Sequence, residues 1–71
     1  MYSYVNIGTN IKARRESLKM SQEELAVKSK VSRQTISSIE TGKADNVKIG
    51  TLNAIASALE TNLDVLFTDN V

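Results

Sequence analysis

Arg33 and Gln34 are the neighbouring side chains of this chain best suited to reading another molecule. An arginine fork matches guanine O6 and N7, and a glutamine carboxamide pairs with adenine N6 and N7; each good pair discriminates by on the order of 1 to 3 kcal/mol. Ser37 lies one helical turn further on, on the same face, and Ser38 borders it, so both hydroxyls are candidates for direct or water-mediated contacts to bases or backbone. The chemistry on offer is hydrogen bonding to nucleic acid, not catalysis. With no His and no Cys, the chain lacks the usual neutral-pH base, the commonest metal ligand and the best thiol nucleophile. Gly8, Gly42 and Gly50 stand apart and build no phosphate-binding loop. The expectation is a protein that is not an enzyme and uses no metal or cofactor.

Those four side chains need a helix held in place by its neighbours. The stretch from Ser21 to Gly42, SQEELAVKSKVSRQTISSIETG, supplies two short helical patterns joined by a tight turn without proline. Leu25, Ala26, Val31, Ile36 and Ile39 are spaced so that both helices share one buried seam, while Arg33, Gln34, Ser37 and Ser38 stay outside. Ser21 and Glu24 form an S-x-x-E capping box, in which hydroxyl and carboxylate each satisfy a backbone N–H at the start of helix two. That helix stops near Ser29, Lys30 and Val31 turn the chain, and Ser32 caps a third helix running to about Thr41. Gly42, tolerant of positive φ, ends it.

Outside this unit, Ile7, Ile11 and Leu18 mark the buried stripe of a first helix of about 13 residues, capped by Asn6 and ending near Lys19. Met20 fills the hinge that follows. The polar segment TGKADNVK is irregular, and Val47 and Ile49 lead into a fourth helix with Leu52, Ile55, Ala56 and Leu59 on one face. Asn62 caps a short fifth helix in which Leu63, Leu66 and Phe67 supply apolar mass. Helices four and five, at about 49–67, are expected to serve the core and dimerisation. Thr68 to Val71 show no pattern.

A chain of 71 residues, 41% hydrophobic and without Pro or Cys, fits one small all-α domain over residues 1–71 with no disulfides. Domains this small bury only roughly 60% of their unfolded surface, so dimerisation is expected to supplement a modest core. No window holds the roughly 18 to 20 apolar residues needed to cross a membrane, and MYSYVNIGTN lacks the basic start and apolar run of an export signal. A cytoplasmic location is therefore expected. The net charge of +1 hides an asymmetry: up to Gly50 there are 9 basic and 5 acidic residues, whereas the remaining 21 residues carry 0 basic and 3 acidic. The front of the molecule is thus the part that meets a polyanion.

The segments SQEELA, VSRQTISSIETGK and LNAIASALETNLDVLF resemble the helix-turn-helix domain of the Cro/cI (Xre-like) transcriptional regulators, over nearly the whole chain. The resemblance implies a five-helix, lambda-repressor-like domain, with helices two and three as the DNA-reading unit and a symmetric dimer on an operator of two related half-sites. Lys30 stands where the family most often has glycine, which implies a left-handed residue with a Cβ at a cost of about 1 kcal/mol. Glu60 likewise replaces a frequent glycine after helix four. The loop after Gly42 is one residue longer than usual and lacks the common proline. Its length is similar to that of restriction-modification controller proteins; small phage and plasmid repressors share the same architecture.

In this docking mode the first residues of the recognition helix reach base edges, which makes Arg33 and Gln34, flanked by Ser37 and Ser38, the expected base contacts. The resemblance also makes Gln22 a phosphate clamp at the first turn of helix two, where free backbone N–H groups assist it. Lys43 has the position and charge to add another phosphate contact, and Ser32 joins it. Thr35, less exposed in the family pattern, is divided between touching phosphate and packing against helix two. Lys12, Arg14, Lys28 and Lys30 are further candidates for the electrostatic footprint. Arg15 and Glu40 are implied to form a structural ion pair orienting the recognition helix against helix one.

Half-sites roughly 34 Å apart require two recognition helices related by a two-fold axis. Leu63, Val65, Leu66 and Phe67 are the expected dimer interface, being more apolar positions than one face of a short helix needs, with Val65 pointing outward. The function expected is that of a sequence-specific, homodimeric DNA-binding regulator, most simply a repressor. A contact from Glu23 or Glu24 to RNA polymerase would make it an activator. The alternative is an antitoxin or immunity-type regulator that mainly binds a protein partner through its acidic tail. RNA binding ranks third, since Tyr2, Tyr4 and Phe67 make no stacking platform.

Overall fold

The computed structural model describes residues 4–44 and 46–67. Its helices are α1 (Tyr4–Ser17), α2 (Gln22–Ser29), α3 (Arg33–Glu40), α4 (Ile49–Ala58) and α5 (Leu63–Phe67). Local side-chain caps set three of the starts. At α2 the Glu24 N–H donates to Ser21 Oγ at 3.0 Å and the Ser21 N–H donates to Glu24 Oε1 at 2.8 Å, completing a capping box. The Thr35 N–H donates to Ser32 Oγ at 3.1 Å, and the Val65 N–H to Asn62 Oδ1 at 3.1 Å. One start differs from expectation. Helix α1 already includes Asn6, which therefore does not cap it; asparagine is only mildly unfavourable inside a helix, and packing of α1 outweighs that preference. Lys48 precedes α4 without any side-chain cap. Thr68 to Val71 lie outside the described residues.

Three helix ends share one closure. Met20 N–H bonds Arg15 O at 3.1 Å while Lys19 N–H bonds Glu16 O at 3.0 Å; Lys43 and Gly42 repeat this on Ser38 and Ile39, and Thr61 and Glu60 on Ala56 and Ser57. This is the Schellman arrangement, which puts the residue after the helix in the left-handed region. Only Gly42, at φ 75°, is a glycine there; Lys19 and Glu60 adopt φ 55° and 59°. Lys30 ends α2 in the same region at φ 60°, ψ 27°, as its place in the turn implied.

These turns fold the chain so that α1 packs on α3 and α5, α2 on α3 and α4, and α4 on α5. Ile7, Ile11, Leu25, Ile36, Ile39, Leu52, Ile55, Leu59 and Leu66 meet in one core, rimmed by half-buried Leu18, Met20, Ala26 and Val31. At the centre of the α1–α3 crossing, a Cβ on Gly8 would overlap the backbone carbonyl of Ile39. The glycine costs α1 roughly 1 kcal/mol of helix preference, yet it lets α3 lie directly on the α1 backbone. Arg14 ties α1 to the far side of the fold: its Nε donates to Leu59 O at 3.0 Å and its Nη2 to Glu60 O at 3.2 Å, a cation on the negative end of α4. Among the described residues, no helix is long and apolar enough to cross a membrane.

Candidate nucleic-acid interface

Helix α3 buries Ile36 and Ile39 and turns its other side outward. Arg33 and Gln34 are exposed in its first turn, with half-buried Ser37 and Ser38 four residues beyond them, so the face carries two rows, Arg33 with Ser37 and Gln34 with Ser38. An open cleft of about 560 Å³ runs beside the second row; Gln34, Thr35 and Ser38 form one wall, and Asn46, Lys48 and Thr51 the other. The sequence reading passed over these last three residues. The only signal for them was the polarity of the segment after Gly42, with Lys48 as the last basic residue in the chain.

The N-terminal edge of the face is built from capped backbone. Ser32 Oγ accepts the Thr35 N–H and sends its own proton to Thr35 Oγ1 at 2.8 Å, so a phosphate accepting from the Ser32 hydroxyl would compete with this bond, whereas the Thr35 hydroxyl proton takes no part in it. Arg33 Nη1 lies 3.4 Å from Glu23 Oε1 on the first turn of α2, an exposed pair. Lys43 is exposed immediately after the Gly42 turn.

Three residues fix the direction of α3. Glu40, its last residue, accepts Arg15 Nε on Oε2 at 2.8 Å and both Arg15 Nη2 and Gln22 Nε2 on Oε1, at 3.1 and 3.0 Å. Arg15 Nη1 also donates to Met20 O at 2.7 Å, so the guanidinium links α1, its closing turn and α3. The hydrogen bond to Glu40 holds the arginine pKa above its ordinary value, against the opposing effect of burial. Gln22 thus commits one amide hydrogen inward to Glu40.

The assignments of Leu66 and Arg14 change. Leu66 is 2% exposed and belongs to the core, so it offers no surface to a second copy; among the apolar residues of α5 only Val65, at 51%, is exposed, with Leu63 and Phe67 half-buried. A five-residue helix makes little more than one turn, and periodicity alone could not separate its inner from its outer residues. Arg14 is engaged with the end of α4 and belongs first to that intramolecular contact, while Lys28 lies 3.9 Å from Glu60 in an exposed pair that leaves its charge at the surface.

Two short helices joined through a left-handed residue, the second laid on the core with a polar outer face, define a helix-turn-helix nucleic-acid reader. The chain belongs to the helix-turn-helix family HTH_3, which it matches over residues 11–66, and is a DNA-binding transcriptional regulator of the Xre/Cro-like kind. It is similar to the restriction-modification controller protein C.AhdI from Aeromonas hydrophila, with 30% identity and a TM-score of 0.84 over 90% of this chain and 96% of that one. The wild-type restriction-modification controller protein C.Esp1396I is 36% identical, with a TM-score of 0.79 over 90% and 83% of the two chains. A transcriptional regulator of the HTH_3 family from Vibrio cholerae is 31% identical with a TM-score of 0.83, over 90% of this chain but 35% of that longer one. No curated protein matches the chain.

Proposed function

We propose that the chain is a homodimeric regulator of the restriction-modification controller type, which binds two inverted half-sites with α3 of each copy in the major groove. The observation that carries this reading is the outer face of α3: Arg33, Gln34, Ser37 and Ser38 stand clear of the core on a helix whose direction is locked by the Arg15–Glu40 pair. Arg33 and Gln34 read bases, with Ser37 and Ser38 making shorter or water-mediated contacts. Gln22, Ser32, Thr35 and Lys43 meet phosphates and set the register without adding sequence information. Val65 lies at the centre of the two-fold contact, with Leu63 and Phe67 beside it. Repression by promoter occupancy needs no group beyond this surface. The similarity to two controller proteins supports the subclass.

Selection of bound duplexes from a random library, at about 150 mM salt to weaken non-specific phosphate binding, tests the proposal. An inverted repeat is expected. No enrichment by a folded sample would sink the DNA reading and favour a protein partner instead.

A further inference from the structure

The buried pair that fixes α3 also reaches the first turn of α2. Glu40, whose side chain is 2% exposed, accepts Gln22 Nε2 on Oε1 at 3.0 Å while Arg15 Nε occupies Oε2 at 2.8 Å. Gln22 itself is half-buried, and the next residue, Glu23, lies 3.4 Å from Arg33, which puts this turn at the edge of the reading face. Resting on the phosphate contact proposed above for Gln22, we infer that Glu40 is a positioning residue for DNA binding: it holds the Gln22 carboxamide by its nitrogen, with a second N–H ready to donate.

A glutamine side chain is long and flexible, and its amide end can turn either oxygen or nitrogen toward a neighbour. A carboxylate only accepts, so Glu40 selects the nitrogen. A phosphate also only accepts, and it needs the same nitrogen. One amide hydrogen goes to Glu40; among the described residues the other has no protein partner. Arg15 answers the charge of Glu40, so the carboxylate steers the amide without repelling the DNA backbone as a lone anion would. The bond to Glu40 stays in place when DNA binds. It acts beforehand, by removing rotamers that binding would otherwise have to freeze, a gain of about two- to tenfold in affinity for one side chain. That gain is the same on every duplex, since phosphate carries no sequence information.

The test is a double-mutant cycle on the full chain. Q22A is made in the parent and in an R15M/E40L variant, where apolar packing replaces the pair, and each protein is titrated with the selected and a shuffled duplex between about 50 and 200 mM salt. In the parent, Q22A is expected to weaken binding to both duplexes alike by about tenfold, as loss of a hydrogen bond to a charged acceptor does, and to leave the salt slope unchanged because glutamine is neutral. In R15M/E40L the same substitution should cost about two- to fourfold, since an unpinned amide contributes less. A shift of α3 on losing the pair would weaken both R15M/E40L proteins together and leave the cost of Q22A at its parental value. NMR order parameters of the Gln22 side-chain amide in the free parent give a second reading that needs no variant to fold; a value above about 0.6, the bound of flexible groups, is expected. Equal costs of Q22A in both folded backgrounds, or a flexible amide in the free parent, would overturn the inference while leaving the DNA reading intact. So would a Q22A protein that binds as well as the parent, which removes Gln22 from the phosphate contacts. A parent that binds neither duplex would overturn both.

Discussion

Arg15 of α1 and Glu40 at the end of α3 face each other through two hydrogen bonds of 2.8 and 3.1 Å, with 8% of each residue exposed. An acid in the last turn of a helix sits at the negative end of its dipole, an unfavourable place unless a cation answers it. Arg15 answers it, and in doing so ties the base of the recognition helix to α1.

Arg15→Ala is expected to remove about 3 to 5 kcal/mol of stability, since it leaves a buried carboxylate with only the Gln22 amide. Urea denaturation reads this directly. Replacing both partners, Arg15→Met with Glu40→Leu, should recover most of the loss, because apolar packing then takes the place of a desolvated pair. If the double variant is no better than the single one, the pair contributes more than compensation of charge. The raised arginine pKa makes its share of stability complete below the ordinary arginine range and lost only in strong alkali, so no dependence on this group is expected near neutral pH.

Lys30→Gly and Glu60→Gly should each stabilise the fold by roughly 0.5 to 1 kcal/mol, as glycine removes the Cβ penalty at φ 60° and 59° and gives back part of the gain through its looser unfolded chain. For a domain of this size, a rise in Tm of about 4 to 8 °C per kcal/mol is the corresponding signal in calorimetry. A fall in Tm at both positions would contradict the strain reading.

Arg33→Ala should relax preference at defined operator positions, each by about 1 to 3 kcal/mol, whereas Lys43→Ala should weaken all duplexes alike and reduce the salt slope by about one. Binding titrations on the selected duplex and its single-base variants separate the two. Uniform loss from both substitutions would remove the distinction between base and phosphate contacts.

Val65→Asp and Leu66→Asp are adjacent substitutions with opposite expected outcomes. The first alters an outward residue and should give folded monomers in sedimentation; the second puts a charge into the core and should unfold the chain, visible as loss of helical circular dichroism. Unchanged mass for a folded Val65→Asp would move the dimer contact elsewhere, with Ile49, 60% exposed at the start of α4, as the next apolar residue to test.

What could be read from sequence was mostly what is local. Ser21 with Glu24, Ser32 and Asn62 cap helices through bonds spanning three residues, and such bonds leave a signature in residue types at fixed spacing. The core stripe of Leu52, Ile55, Ala56 and Leu59 was legible for the same reason. Left-handed Lys19 was not, because the backbone closure at the end of α1 imposes that conformation on it without the glycine that usually announces it. The second role of Gln22 was also hidden, since its bond to Glu40 crosses 18 residues and depends on how α2 and α3 are stacked. The far wall of the cleft, with Asn46, Lys48 and Thr51, arises only when the loop folds back beside α3.

The missing side chain of Gly8 sets the seat of α3, because its absence lets the Ile39 carbonyl rest against the α1 backbone. Any larger residue there would tilt the reading head before it touched a single nucleotide. In an exhaustive mutational scan scored by operator occupancy, position 8 would consequently score with the base readers, although it lies in the core with no line of sight to the groove. Geometry inherited from the scaffold would masquerade as recognition.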